Sequence, residues 1–302
     1  MFKLFQDMAN AYTDPFLYAV WVIIVLLIIE YILSVKYHLD YYEKKDTLAN
    51  LGMMLGASLI GFLGKPIAFF YFTWLHDKYS LFAMPTNSWW YWVVLMLGVD
   101  FTYYWYHRWS HEIRILWAAH VNHHSSQYFN YSVALRQAWV IAAMYYIFWV
   151  WLVIIGFTPV SVLFCMSILH IYQFWVHTES IGKLGFLEKI IVTPSFHRVH
   201  HGSNPKYIDK NHSGVFIIWD VLFGTFAVED EKVIYGLTKN INTYNPIRIA
   251  FHEYKSIWDD IKKPGSLKNK LGYIFGNPGW EPKEVKEIKS ETTVLQKELM
   301  VQ

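Results

Sequence analysis

The sequence predicts an all-α integral membrane protein, in which four to five transmembrane helices carry a histidine-rich helical domain on the cytoplasmic side. Three observations predict this fold class. Of the 302 residues, 54% are hydrophobic and only 17% are charged, whereas soluble domains have about 25% charged residues. Five apolar stretches are about as long as a bilayer is thick. The histidines gather just beyond the ends of these stretches.

The five apolar stretches are candidate transmembrane helices. The first, residues 16–33, would extend about 27 Å as a helix, close to the thickness of the hydrocarbon core. The second contains Pro66, which predicts a kink or a break. In chain order the stretches are 16–33, 48–75, 89–106, 133–157 and 160–176, and the last two form a hairpin.

The lysines of the short connections predict the orientation, because cytoplasmic loops carry an excess of basic residues. The first connection contains Lys36, Lys44 and Lys45. The N-terminal segment has only Lys3, and the second connection has only Lys78. We therefore expect an external N-terminus and a cytoplasmic first connection. Alternation then places residues 107–132, and everything after residue 176, in the cytoplasm of a bacterium or on the cytoplasmic side of the endoplasmic reticulum.

Nine of the 14 histidines form a spaced pattern. One pair is spaced H-x-x-x-H, the spacing H-x-x-H-H occurs twice, and a single histidine ends the fifth stretch. Residues three and four apart project from one face of a helix, so each cluster directs two or three imidazoles at a common point. The nine are His107, His111, His120, His123, His124, His177, His197, His200 and His201.

The pattern predicts a domain that holds two metal ions. Imidazole suits Zn, Cu, Fe and Ni. The only cysteine, Cys165, lies in an apolar run, which excludes a thiolate site. Zinc sites use three or four protein ligands, so nine imidazoles exceed the needs of one ion. The net charge of +2 does not indicate a nucleic-acid partner.

Other residues support or surround this pattern. The last cluster should form its own helix, with Thr193 as N-cap, Pro194 at the first position and Gly202 past the end. His170 and His212 are weaker candidates for partners of the site. His38, His76 and His252 lie in ordinary segments, and we expect no role for them.

Beyond the spacing, the three clusters in this order resemble the fatty acid hydroxylase and sterol desaturase superfamily. The similarity extends over about residues 12–260 and is closest to its alkylglycerol monooxygenase branch. The segments that carry this resemblance are Trp105-Tyr106-His107-Arg108, Ala134-Leu135-Arg136-Gln137, Tyr172-Gln173-Phe174-Trp175, Asp209-Lys210-Asn211 and Ile218-Trp219-Asp220.

The resemblance implies a function and a division of the chain. It implies two Fe ions, O2 as co-substrate, tetrahydrobiopterin or another reduced electron donor, a lipid substrate and possible help from an electron-donor protein. The expected reaction is oxidative cleavage of the ether bond of alkylglycerols to fatty aldehyde and glycerol. We divide the chain into N-terminal transmembrane helices (1–106), a fatty acid hydroxylase-type catalytic domain (107–265) that includes the hairpin 133–176, and a charged, flexible tail (266–302).

Three acidic residues are candidates for catalytic roles. Asp100 lies inside the third stretch, seven residues before His107, and an acid within a membrane helix is functional by default. It could orient an imidazole or hydrogen-bond a neighbouring helix. Glu112 and Glu179 closely follow histidines of the pattern, so they could orient imidazoles, and Glu112 could bind a pterin. Both could instead be solvated surface acids.

Alternative functions stay open from the sequence. A fatty acid, sterol or carotenoid hydroxylase or desaturase would use the same ligand pattern. A metal transporter or sensor would need histidines and carboxylates within the transmembrane stretches, whereas these histidines lie beyond their ends. A scaffold with a degenerate site is disfavoured because all three clusters are complete.

Overall fold

The computed structural model describes residues 14–140 and 145–285, and these residues form helices and loops. The extended pairings recorded among them are two isolated antiparallel bridges, Ile191–Phe216 and Gly202–Tyr235, and no sheet forms in this part of the chain. The predicted all-α architecture is therefore confirmed for the described residues.

The described chain begins with two long helices, α1 (Phe16–Tyr37) and α2 (Lys44–Tyr79). Both are long and apolar enough to cross a membrane. In their most apolar windows only 11% of the α1 residues and 17% of the α2 residues are buried, unlike the core helices of a soluble protein. Helix α2 continues through Pro66, so this proline does not end it. The two helices indicate a membrane protein, and further crossings stay a prediction.

Eight further α-helices follow in the described residues up to Phe275. In chain order they are α3 (Trp89–Glu112), α4 (Arg114–His124), α5 (Val150–Ile155), α6 (Pro159–Trp175), α7 (Pro194–His200), α8 (Ile218–Phe223), α9 (Pro246–Ile261) and α10 (Leu267–Phe275). Helix α3 runs past the predicted stretch 89–106, so its C-terminal turns carry His107 and His111. Helices α4 and α7 carry the two H-x-x-H-H clusters, and α6 ends just before His177.

Three of these helices begin with a capping residue followed by proline. The side chains of Thr158 and Asn245 accept hydrogen bonds from the first turns of α6 and α9. Helix α7 begins at Pro194 after Thr193, as predicted, although the Thr193 hydroxyl bonds Glu188 instead of the helix backbone. Proline suits the first position because its missing N–H would be unpaired there in any case.

The largest apolar core of the described residues joins α2, α3, α5 and α6. Leu95, Leu152 and Leu169 are buried in it, and the buried Trp149 donates its indole N–H to the Val99 carbonyl at 3.2 Å. This core is rigid support for the ends of α3 and α6, which present histidines at the same end of the bundle.

The opposite end of the bundle closes at Gly156. This glycine ends α5 with a φ of 124°, and the Phe82 carbonyl occupies the place where a side chain would begin. The N–H groups of Leu81 and Phe82 bond the carbonyls of Ile154 and Ile155 at 2.8 and 3.2 Å. The turn after α5 therefore lies beside the loop that follows α2, away from the histidines.

The fourth predicted stretch, 133–157, is not a continuous helix in the part that the structure describes. Among the described residues of this stretch, 133–135 form a single 3-10 turn, 136–140 are irregular, Tyr145–Trp149 form a 3-10 helix, and α-helix begins at Val150. The reason is Arg136, which is 1% exposed and bonds Asp46 and Asn50 of α2 at 2.9 and 2.8 Å. This polar anchor holds the segment against α2 near the histidines.

The predicted tail also contains ordered structure. Helix α10 lies within residues 266–302, its Tyr273 is buried, and the Trp280 ring packs against Gly272. The Arg114 N–H at the start of α4 donates to the Gly276 carbonyl at 2.9 Å. The first part of the segment expected to be flexible is therefore docked onto the histidine domain, and residues 286–302 lie outside the described residues.

Candidate metal centre

Four segments bring the nine clustered histidines together: the end of α3, helix α4, the second residue after α6, and the end of α7. They form two groups, and within each group the nitrogens that could bind an ion all lie within 4.8 Å of one another. Eight of the nine are buried, and His120 is partly exposed. The first group is His107, His111, His120, His124 and His200; the second is His123, His177, His197 and His201.

The spacing between ring nitrogens is that of neighbouring ligands on one ion. Two imidazoles bound at a right angle, with metal–nitrogen bonds of roughly 2.1 Å, have nitrogens about 3 Å apart. The observed Nε2–Nε2 distances are 2.9 Å for His107–His120, 3.1 Å for His120–His124, and 2.9 Å for both His123–His177 and His177–His197. Each group therefore has a geometry that one ion could occupy.

Backbone carbonyls fix the orientation of three rings. The Nδ1 atoms of His107, His177 and His200 lie 2.8, 2.6 and 2.9 Å from the carbonyls of His212, Gln173 and Lys210. A carbonyl only accepts, so each of these Nδ1 atoms carries the proton. In the neutral ring the Nε2 atom is then left with a free lone pair, which is the arrangement that outer partners impose on metal-binding histidines.

Burial keeps these imidazoles neutral. It lowers the pKa of His107 to about 4 and the pKa of His177 to about 3. The Nε2 atoms of His111, His200 and His201 are buried and have no hydrogen-bond partner among the described residues. Unpaired buried polar atoms are costly, and a bound cation would satisfy them. The donor set thus fits a metal that prefers nitrogen ligands.

Asp100 holds a loop near the site instead of an imidazole. Its carboxylate accepts the N–H groups of Val215 and Phe216 at 2.7 and 3.0 Å and the Trp219 indole N–H at 2.9 Å. Among the described residues, Asp100 makes no hydrogen bond to a histidine ring. Its link to the site is indirect, since the same loop supplies the carbonyl that orients His107.

Glu112 and Glu179 also lack a hydrogen bond to a histidine ring in the described residues. Glu112 accepts from the Arg108 guanidinium at 2.8 Å. Glu179 accepts from the Tyr235 hydroxyl, and the Tyr235 ring stacks on Phe129 at 5.0 Å. Phe129 in turn packs against the imidazoles of the second group. Glu179 therefore stabilises the wall of the site.

Two further acids at the site were missed by the sequence analysis. Asp209 lies 3.4 Å from His111 Nδ1 and has a left-handed φ of 56°. Glu30 of α1 is 2% exposed and accepts the Tyr131 N–H at 2.8 Å and the Thr178 hydroxyl, next to the second group. The position of Glu30 inside an apolar helix was a usable signal, whereas the contact of Asp209 depends on the fold.

The two weaker histidine candidates lie outside both groups. The His212 ring is buried 5.0 Å from the His111 ring, and neither of its nitrogens has a recorded partner. The His170 Nε2 atom lies 3.0 Å from the Tyr145 hydroxyl, deeper in the helical bundle. Neither ring joins the sets of converging nitrogens.

Two cavities reach the histidines, and different rings of the centre line each one. An apolar cavity of about 390 Å³ is lined by His107, His120, His123 and His177 and by side chains of α1 and α2 that include Ile23, Met54 and Ala57. A more polar cavity of about 740 Å³ is lined by His111, His124, His200 and His201 together with Glu112, Trp117, Asn240 and His252.

Comparisons with known proteins agree with this arrangement. Residues 92–225 match the family model described as fatty acid hydroxylase. The chain is 43% identical to alkylglycerol monooxygenase of Homo sapiens over 244 residues, which are 78% of this chain and 53% of the human protein. It is 41% identical to the Xenopus tropicalis protein over 262 residues (85% and 58%) and 39% identical to the Danio rerio protein over 265 residues (85% and 58%).

The chain spans little more than half the length of these curated relatives. No solved structure matches it. The matched region runs from α3 to the end of α8 and contains all nine clustered histidines. Residues 92–225 are thus the part of the chain that the fatty acid hydroxylase family model matches, and most of the chain's length is similar to alkylglycerol monooxygenases.

Proposed function

We propose that this chain is a membrane-bound di-iron monooxygenase that oxidises the ether-linked carbon of an alkylglycerol, with fatty aldehyde and glycerol as products. The observation that carries the proposal is the pair of imidazole groups, one of five histidines and one of four, at the end of an apolar cavity. The identity of 39–43% with alkylglycerol monooxygenases favours this substrate class over other lipids.

The nine histidines would hold two iron ions, one in each group. Bound iron would supply the activation of O2. In the overall reaction one oxygen atom enters the C–H bond beside the ether oxygen, and the other leaves as water after uptake of two electrons and two protons. The resulting hemiacetal then separates into aldehyde and glycerol. The protein contributes neutral imidazoles with the lone pairs of His107, His177 and His200 fixed on Nε2.

The apolar cavity suits the alkyl chain of the lipid. Its lining includes Ile23 of α1 and Met54 of α2, the two helices that are apolar enough to cross a membrane. A lipid could therefore reach the histidines directly from the bilayer. The Gln137 side chain also lines this cavity. Its amide N–H donates to the Ala134 carbonyl at 2.7 Å, so its Oε1 can accept a hydrogen bond from a glycerol hydroxyl.

The two electrons must come from an external donor. We favour a reduced pterin such as tetrahydrobiopterin, with Glu112 among the residues that contact it, over a separate electron-donor protein. Glu112 lines the polar cavity beside His111. The support for the pterin is the similarity to the alkylglycerol monooxygenases.

We further propose a multi-pass protein with its histidines on the cytoplasmic side, as the lysine distribution suggests. The division into residues 1–106, 107–265 and 266–302 is kept as a functional proposal, with α10 assigned structurally to the edge of the catalytic domain because it packs on α4. The host membrane would be a bacterial inner membrane or the endoplasmic reticulum.

Product analysis with purified protein tests the proposed reaction. An alkylglycerol, a free fatty acid and a sterol should be supplied in turn, each with O2 and either tetrahydrobiopterin or a ferredoxin. We expect fatty aldehyde from the alkylglycerol and no product from the other two. A hydroxylated or desaturated acid or sterol, with the ether lipid untouched, would contradict the substrate assignment and support the alternative hydroxylase function.

A further inference from the structure

The polar cavity and the lipid cavity adjoin different imidazoles of the centre. His111, His124 and His200 line only the polar cavity, whereas His107 and His120 line only the apolar one, although all five belong to the first group. The two cavities share none of their lining residues. The centre can therefore be reached by two molecules at once without overlap.

We propose that the polar cavity binds the electron donor, as a small planar water-soluble heterocycle, while the lipid occupies the apolar cavity. This inference rests on the proposed function, because an enzyme that inserts one atom of O2 and reduces the other to water needs two electrons from a donor. A volume of about 740 Å³ lies in the range of sites for small cofactors. Docking of a protein donor would use a surface patch and would leave such a cavity without an occupant.

Trp117 provides an aromatic wall for this molecule. It lines the cavity, and its ring lies 5.1 Å from the His111 ring and 5.7 Å from the His124 ring. Aromatic pairs prefer offset or edge contacts at such centroid distances. A planar donor stacked on Trp117 would be separated from the His111 and His124 imidazoles by the Trp117 ring alone. Electrons would therefore travel only a short distance from the donor to the first group.

Two polar side chains that also line this cavity have free hydrogen-bonding capacity. His252 Nδ1 donates to the Ile249 carbonyl at 2.9 Å, so its Nε2 carries a lone pair. Asn240 Oδ1 accepts from the Leu237 N–H at 2.9 Å, which leaves its amide NH2 as a donor. Together with Glu112 they present acceptors and a donor, as a heterocycle with an amide-like edge requires.

The neighbouring Arg114 has a different role. Its guanidinium is occupied by Glu253, Ser256 and Asp260 at 2.6–2.9 Å, so it fixes α9 onto α4. This buried ion-pair network sets the position of His252 relative to Trp117. We expected no role for His252 from its sequence context, and its position in this cavity assigns it to the binding of the donor.

Binding measurements with tetrahydrobiopterin test the proposal independently of turnover. Isothermal titration of the purified protein under argon should give a Kd for the pterin, and the double variant H252A/N240A should raise that Kd on the order of 10-fold or more, since each lost hydrogen bond costs about a factor of five. The conservative variant His252→Gln keeps an acceptor and should recover part of the affinity. The melting temperature of each variant reports whether it is folded.

A variant of the lipid cavity provides the matched control. Ala57→Leu narrows the apolar cavity and should raise the KM for the lipid while the Kd for the pterin stays unchanged. Failure of the wild-type protein to bind the pterin, unchanged affinity in the double variant, or weaker pterin binding in Ala57→Leu would overturn the assignment of the cavity. If the pterin binds as expected but alkylglycerol is not cleaved, only the proposed substrate is wrong.

Discussion

At the residue scale, the centre depends on which nitrogen of each imidazole carries the proton. Backbone carbonyls make this choice for His107, His177 and His200, and Asp209 stands next to His111 Nδ1 at 3.4 Å. Histidine spacing revealed the candidate ligands from the sequence, because three- and four-residue intervals share a helix face. The partners of the outer nitrogens could not be predicted, since they come from loops far away along the chain.

Substitutions at this scale should separate metal-binding residues from orienting residues. His123→Ala and His200→Ala should abolish turnover, because each removes a ligand from one group. Asp209→Asn should lower kcat on the order of 10–100-fold, as loss of an outer partner of a metal-binding histidine does. Steady-state assays of membrane preparations would measure these effects.

Asp259→Asn is the matched control for Asp209→Asn. Asp259 lies on α9 in an exposed pair with Lys255, so its substitution should leave activity near that of the wild type. Full activity of either histidine variant would refute the ligand assignment. An Asp209 variant that behaves like the Asp259 variant would exclude an orienting role.

At the element scale, helices with a repeating pattern and a clear start were predictable. The last histidine helix begins at Pro194 as its Thr-Pro signal indicated, and α1 covers the whole first apolar stretch. The stretch 133–157 was predicted wrongly as one helix, because hydropathy alone cannot show what Arg136 contacts. Its guanidinium bonds Asp46 of α2 and the Asn122 carbonyl of α4. These tertiary contacts prevent the helix that the apolar composition of the segment predicts.

Arg136 should therefore be a major source of stability for α4. Arg136→Gln breaks a buried ion pair with Asp46 and removes a donor from the Asn122 carbonyl, beside His123. Loss of one partner from a buried pair costs about 3–5 kcal/mol in the free energy of unfolding. Denaturant titration in detergent, followed by circular dichroism, would measure the difference.

The exposed Arg248 of α9 offers a control for that measurement. Arg248→Gln is the same substitution at an exposed position, and Arg248 forms no ion pair with the described residues. Surface substitutions of this kind change the free energy of unfolding by less than about 0.5 kcal/mol. Equal stability of the two variants would show that the Arg136 network is not a stabilising anchor.

At the scale of the whole molecule, the bundle has one end with histidines and one end with the turn at Gly156. The loop after α2 pairs with this turn, so both should lie on the external side if the lysine distribution sets the orientation. The structure improves the choice of test positions, since Ser126 is buried beside Asp46 whereas Gln127 and Asn87 are exposed.

Labelling of single cysteines in a Cys165→Ser background tests this orientation. An impermeant maleimide applied to intact cells should react with Asn87→Cys and should reach Gln127→Cys only after the membrane is opened. The two positions lie near opposite ends of α3 and its continuation, so each serves as the control for the other. External labelling of Gln127→Cys would reverse the proposed topology.

The most direct test of a two-metal centre with separate imidazole groups is the metal content of purified protein. Wild-type protein that is fully active should contain close to two iron ions per chain. His177→Ala removes the member of the second group that contacts both His123 and His197, and this variant should retain about one ion, bound by the five imidazoles of the first group. One ion per active wild-type chain, or two ions retained in the variant, would contradict the account.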